Sequence, residues 1–240
     1  MSRNNGQMSE AFFTAVFLSA SGGLQDAYTY IQRGSVFANA QTGNIVLLSQ
    51  TIFSGNWSRI FHYAIPLLAF ALGVAAAEQI RFRCQSSPAI HWRQLVLLAE
   101  IGLLFSVGFL PSTLNLLANA LVSFSCAMQV QAFRKVNGYS FASIMCIGNL
   151  RSGVESLMAS YRTGDRMLLR KAGQYFSIIL LFALGAGLGG CFIPLFGRKT
   201  IWLSCILLLI SFCLMFIRTN PANVSDPYEP TDQFQKNSRS

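Results

Sequence analysis

Two carboxylates stand out because of their surroundings: Asp26 and Glu100 each interrupt a run of otherwise apolar residues. A carboxylate inside an apolar helix is costly unless it faces a cavity or a partner, so each is a candidate for handling a proton, a cation or a small polar solute. Amides accompany them. Gln25 directly precedes Asp26, and Gln129 and Gln131 fall in a later apolar run; such amides can bind a solute or hold helices together. Two Gly-Asn pairs, Gly43-Asn44 after Thr42 and Gly148-Asn149, sit inside segments of mixed polarity. Glycine weakens a helix and an amide both donates and accepts, so the expectation is a pair of broken or re-entrant helices around a polar site. A tight turn between helices, capped by Asn, is the alternative.

Other chemistries are poorly provided for. His62 and His91 are the only histidines, and five of the six cysteines lie in apolar segments with no C-x-x-C spacing, so neither a metal centre nor a disulfide framework is expected. Gly138-Tyr139-Ser140-Phe141-Ala142 approaches a nucleophile turn but lacks the closing Gly. No H-E-x-x-H, phosphate loop or dinucleotide fingerprint occurs. The expectation is a protein that is not an enzyme and uses no cofactor. Arg151 and Glu155, four residues apart, should pair along one helical face.

The elements that must position these residues are long and greasy. The chain has 240 residues, 52% of them hydrophobic and only 11% charged, against about a quarter charged in an ordinary soluble domain. A net charge of +9 would suit nucleic acid, but the Lys and Arg residues lie in short segments between apolar runs, as in membrane proteins. The expected partner is a lipid bilayer, with a small solute or ion possible and no nucleic acid; the oligomeric state is left open. Six stretches suffice to cross a bilayer, which takes about 20 helical residues: 11–31, 61–80, 94–110, 113–133, 174–196 and 200–217. The segments 36–53 and 139–160, which hold the Gly-Asn pairs, are ambiguous between re-entrant and spanning. The fold class predicted is an all-α polytopic membrane bundle, a single membrane domain over 1–218 followed by a disordered cytoplasmic tail at 219–240.

Loop charge arbitrates the ambiguity. With six spans, Arg3, three basic residues in 81–93, seven in 134–173 and three after residue 217 share one side, fourteen of the 18. Arg33, Arg59, Arg198 and Lys199 remain on the other. Eight spans would divide the same residues 10 to 8. The positive-inside rule therefore favours six spans with both termini cytoplasmic.

The sequence also repeats. Ser21-Gly22-Gly23-Leu24-Gln25, Gly34 and Gly43-Asn44 are answered by Ser125-Cys126-Ala127-Met128-Gln129, Gly138 and Gly148-Asn149. Ser54-Gly55-Asn56 is answered by Thr163-Gly164-Asp165, and Phe70-Ala71-Leu72-Gly73 by Phe182-Ala183-Leu184-Gly185. The offset grows steadily from 104 to 112, as small loop insertions would produce. With three spans in each half, about 11–110 and 113–217, the second half must enter the membrane from the opposite face. Inverted repeats of this kind are frequent in secondary transporters, whose interrupted segments meet near the midplane. The leading expectation is thus a small-solute transporter or channel-like protein. A non-transporting structural, assembly or sensor protein is the alternative, and an intramembrane hydrolase a remote one.

Gly22-Gly23-Leu24-Gln25-Asp26-Ala27, then Phe37, then Gln41-Thr42-Gly43-Asn44 resembles the opening motif of the YoaK-like family of small bacterial membrane proteins, a domain of unknown function. The resemblance spans about residues 11–217. It implies a bacterial cytoplasmic (inner) membrane location and about six spans, and no activity or substrate. Ile147 stands where a second Thr-Gly-Asn would need Thr, which sets the two motifs apart. On these grounds Asp26→Asn should keep the shape of the site, leave abundance normal and abolish any coupled transport, with Gln25, Asn44 and Asn149 as the donors nearest the carboxylate.

Overall fold

The computed structural model describes residues 12–84, 91–136, 139–140 and 145–216. The expected tail at 219–240, and Gly138 of the repeat, lie outside the described residues. Eight helices account for nearly all of the rest: α1 (Phe12–Gln32), α2 (Gln41–Phe53), α3 (Ile60–Cys84), α4 (Trp92–Val107), α5 (Asn115–Ala132), α6 (Cys146–Thr163), α7 (Arg166–Phe196) and α8 (Ile201–Leu214). A two-residue antiparallel ladder, β1 (Lys135–Val136) with β2 (Tyr139–Ser140), precedes α6.

Local chemistry sets several of the boundaries. The His91 ring accepts from the Arg93 amide at 3.3 Å and Gln94 Oε1 accepts from the His91 amide at 3.1 Å, a reciprocal box that starts α4. Asp165 Oδ1 accepts from the Met167 amide at 2.8 Å and starts α7. Helix α7 therefore begins at Arg166, eight residues before the expected span at 174, because this cap lets the polar stretch 166–173 wind as helix. Gly164, at φ 70°, ends α6 in the left-handed conformation that only glycine adopts cheaply. Arg151 and Glu155 do pair, at 2.9 Å on an exposed face of α6, where the contact is worth little.

The packing is inside-out relative to a soluble protein. Large apolar side chains such as Leu68 and Leu72 on α3, Leu180, Leu184 and Leu188 on α7, and Ile206 and Leu209 on α8 face outward. The interior meanwhile holds Gln25, Arg33, Glu100, Asn119 and Gln129 with no exposed surface. A soluble monomer rarely presents apolar surface on that scale, whereas lipid accepts it. Among the described residues, three stretches are by themselves long and apolar enough to cross a membrane: Trp57–Cys84, Ser112–Ala132 and Arg166–Leu214, the last holding both α7 and α8. Helix α1 is diluted by its buried polar residues and α4 has 16 residues, so neither meets that criterion alone.

Contacts between helices fix their directions. Leu18, Gln25 and Arg33 along α1 meet Gln129, Cys126 and Asn119 along α5, so α1 and α5 are antiparallel. Ala20, Leu24 and Ile31 of α1 meet Gly185, Gly189 and Gly190 of α7, so α1 and α7 run the same way. Two close crossings fall at positions that the sequence matches pair with one another. A Cβ at Gly185 would sit on the carbonyl of Ala20, and a Cβ at Gly73 would sit on the carbonyl of Phe124. The offsets that carry Gly73 to Gly185 and Ala20 to Phe124 are the two extremes of the repeat, 112 and 104. Gly185 and Gly189, one turn apart on α7, let two backbones touch, as small residues do where membrane helices cross.

Both Gly-Asn pairs lie at helix starts. They do not break a helix in its middle. Gly43 and Asn44 are the third and fourth residues of α2, and Gly148 and Asn149 are the third and fourth of α6. An unsatisfied helix N-terminus tolerates Gly and a short polar side chain far better than a helix interior does. Helix α2 has 13 residues, about 20 Å at 1.5 Å per residue, well short of a hydrocarbon core about 30 Å thick. Helix α6 is longer but carries Arg151, Glu155 and Arg162.

Candidate functional site

The centre of the bundle is a polar cluster contributed by four helices. Gln25 of α1 donates to Ser21 Oγ one turn back at 3.0 Å and to Glu100 Oε1 of α4 at 3.2 Å. The Cys126 thiol of α5 donates to Gln25 Oε1. The hydroxyls of Ser21 and Ser204 of α8 are 2.6 Å apart, and Ser204 also reaches the Ser21 carbonyl at 3.2 Å. The residues Ser21, Gln25, Glu100, Cys126 and Ser204 are all fully buried. The second oxygen of Glu100 has no hydrogen-bond partner.

Asp26 faces the other way, toward the segment leading into α2. Its Oδ1 accepts from the Asn39 amide at 2.7 Å, and the backbone amides of Ala38 and Ala40 lie near the carboxylate. Asn39 returns a bond to the Gly22 carbonyl at 3.1 Å. The donors expected for Asp26 from sequence were side-chain amides; the structure supplies backbone N–H groups, which converge where the chain turns into the start of a helix and form a natural anion cradle. From the second half the start of α6 approaches, with the Cys146 thiol within electrostatic reach of Asp26. Cys126 lies within reach of both carboxylates.

Asn44 is committed to its own loop. Its Oδ1 accepts from the Phe37 amide at 3.0 Å, and its Nδ2 donates to the Phe37 carbonyl at 2.6 Å and to Gln41 Oε1 at 2.9 Å. The side chain thereby copies the pairing of a β-bridge and holds Phe37 against Gly43, where a Cβ would come 3.0 Å from the Phe37 ring. This explains the joint presence of Phe37, Gly43 and Asn44. Thr42 and Gly148 are exposed on the helix starts, while Asn149 is buried. Gln129 is buried one turn beyond Cys126 and donates to the Leu18 carbonyl at 3.2 Å, leaving its Oε1 unpartnered. The structure thus joins Gln25 with Glu100, places Asp26 against the segment that leads into α2, and leaves Gln129 at the edge of the cluster.

Ser21, Ser204, Cys126 and Asn39 complete this arrangement although the sequence reading gave them no role. The signal for two of them was present: Ser21 and Cys126 belong to the repeated stretches that end in Gln25 and Gln129. Arg33 is the larger surprise. Counted as an outer-loop charge, it is fully buried. Its Nε donates to Tyr28 Oη at 2.9 Å, one terminal nitrogen to the Val107 carbonyl at 2.9 Å, and the other to the Leu110 carbonyl at 3.1 Å, the Pro111 carbonyl at 3.4 Å and Asn115 Oδ1 at 3.0 Å. The guanidinium closes the C-terminal end of α4, where carbonyl groups and the helix dipole favour a cation.

An all-helical bundle with an apolar exterior, a buried polar centre and short helices entering beside a carboxylate defines a multi-helix integral membrane protein. The chain belongs to the family described as protein of unknown function (DUF1275), which matches residues 14–214. It is 26% identical over 200 residues to the UPF0700 transmembrane protein YoaK of Bacillus subtilis (strain 168), covering 80% of this chain and 88% of that protein. No solved structure matches the chain.

Proposed function

We propose that this protein is a small-solute transporter or channel-like protein of the bacterial cytoplasmic membrane. In this reading α1, α3, α4, α5, α7 and α8 span the bilayer, and the two halves form a 3+3 inverted repeat. The observation that carries it is the meeting of α1, α4, α5 and α8 around Gln25 and an acid, Glu100, that no basic side chain neutralises among the described residues. Buried ionisable groups of this kind in membrane helices mark ion or solute pathways. The antiparallel course of the repeat-related helices α1 and α5 supports inversion, and the matched positions of Gly43-Asn44 and Gly148-Asn149 support re-entrant α2 and α6. Half-helix N-termini directed at a central site are a recurring transporter device. With Arg33 buried, the side opposite the termini keeps only Arg59, Arg198 and Lys199 in its loops, which sharpens the charge asymmetry. Reporter fusions after Ser240 and beside Asn56 are expected to signal from opposite sides of the membrane; signals from one side would end the six-span arrangement.

The commitment of Asp26 and Asn44 to backbone hydrogen bonds favours a second reading, a non-transporting membrane protein whose polar groups hold helices together. Proteoliposomes distinguish the two. Uptake across a panel of small ions and polar solutes, with and without an imposed pH gradient, should show flux above protein-free vesicles, with at least a tenfold loss in Glu100→Gln. Flux equal to protein-free vesicles throughout would favour the non-transporting reading.

A further inference from the structure

The unpartnered oxygen of Glu100 has a consequence independent of any solute. Every side chain that meets this carboxyl is neutral in its ordinary form. From α1 comes Gln25, donating to Oε1 at 3.2 Å. From α5 comes Cys126 and from α8 Cys205, two thiols within electrostatic reach of the carboxyl, the second hydrogen-bonded to the Ile101 carbonyl at 3.8 Å. Asp26, the other acid near Cys126, is turned to the amides of residues 38–40. On α4 itself Arg93 donates to the Ala132 carbonyl at 3.0 Å. Helix α3, which packs less closely on α4, directs its Glu78 and Arg81 to each other and Glu78 also to Gln131.

A carboxylate with one neutral donor and no contact with water would bear most of its desolvation cost uncompensated, and a cation must supply the difference. A metal cation would draw together several oxygen ligands. The one side chain hydrogen-bonded to Glu100 is instead the Gln25 amide, whose nitrogen and not its oxygen faces the carboxyl, and the nearby thiols of Cys126 and Cys205 are bonded elsewhere. The smallest cation suits these surroundings, since a proton needs one oxygen and no coordination shell.

We propose that Glu100 is a reversible proton-binding site at the centre of the bundle: Oε2 holds the exchangeable proton while Gln25 fixes Oε1 and so orients the group. The site rests on geometry alone; its use in coupling rests on the transport reading above, and the two fail separately.

Infrared difference spectroscopy on the full-length protein in proteoliposomes, titrated with pH, tests it without a substrate. The expected result is a carboxylic-acid C=O band that comes and goes reversibly with pH, shifts on exchange into D2O and is lost in Glu100→Gln. Glu100→Asp should keep the band at a shifted frequency, which assigns it even where the Gln variant folds poorly. Gln25→Leu should move it toward the frequency of a carbonyl without a donor, a response that a merely structural carboxyl would not link to pH. A pH difference spectrum unchanged in Glu100→Gln and Glu100→Asp would overturn the site. Loss of the band on adding NaCl at constant pH would also overturn it, by making Na+ the bound cation. Band present with no flux in any panel would leave the proton site standing and remove the transport reading.

Discussion

Replacing Arg33 by Met is expected to lower stability by about 3–5 kcal/mol, the largest effect of any single change outside the helix crossings. The guanidinium serves five acceptors, of which Tyr28 Oη and the Val107 carbonyl are buried and the carbonyls of Leu110 and Pro111 and Asn115 Oδ1 part-buried. Each buried acceptor deprived of its donor costs about 1–3 kcal/mol. These costs overlap, because Leu110 retains a bond from Arg198 at 3.2 Å and the α4 end can relax. Against a total stability of about 5–15 kcal/mol, that loss is enough to deplete folded protein. Lys carries the charge but not the planar fork, and reaches one or two of the five acceptors, so Arg33→Lys should recover only part of the loss. Thermal unfolding of the detergent-solubilised protein, followed by tryptophan fluorescence, provides the measurement. The fluorophore is well placed, since Trp202 stacks on Phe105 at 5.5 Å near the same end of α4. An Arg33→Met protein melting with the parent would show that the α4 end does not depend on this residue.

The second large effect concerns Asp26→Asn. Sequence alone suggests a change that preserves shape and abundance, but the structure leads to the opposite expectation. The carboxylate accepts from the Asn39 amide at 2.7 Å, with the amides of Ala38 and Ala40 nearby, and only an acceptor suits that cradle. An Asn side chain offers one oxygen, and its NH2 group would be set against the neighbouring N–H groups. Hydrogen bonds to a charged acceptor are worth about 1.5–3 kcal/mol, so a loss of about 2–3 kcal/mol is expected, centred on the loop that launches α2. Asp26→Ala should cost as much or more. Hydrogen exchange read by mass spectrometry should show faster exchange over residues 36–45 in Asp26→Asn, with α7 unaltered. Protection equal to the parent over 36–45 would return Asp26 to the role of a free pathway carboxylate.

These two residues show where reading a sequence stops. Hydropathy alone identified the helices α1, α3, α4, α5, α7 and α8, because apolar runs of membrane length have few alternative fates. The matched Gly, Ser, Gln and Asn positions of the two halves were visible in the sequence, and the close crossings of Gly73 on Phe124 and Gly185 on Ala20 lie at offsets within the range of those matches. Gln25 and Glu100 were legible as polar intruders, since a polar side chain in an apolar run needs a partner. Which partner it finds is a matter of distance between helices remote in sequence. Gln25 is 75 residues from Glu100 and 101 from Cys126, and no periodicity along one helix encodes that meeting. Arg33 looked like a loop charge because its sequence neighbours, Gln32 and Gly34, are those of a loop. Only the return of α4 to the same end of the bundle supplies the carbonyl groups that bury it. Likewise Gly-Asn indicated a special backbone site, but whether that site breaks a helix or begins one depends on the preceding turn, and Asn44 decides it by pairing with Phe37. Composition therefore determined the solvent and the helical character of the apolar runs, while the pairing of each buried charge and amide was decided by tertiary contacts, because hydrogen bonds act over about 3 Å and the chain must fold before those groups are near one another.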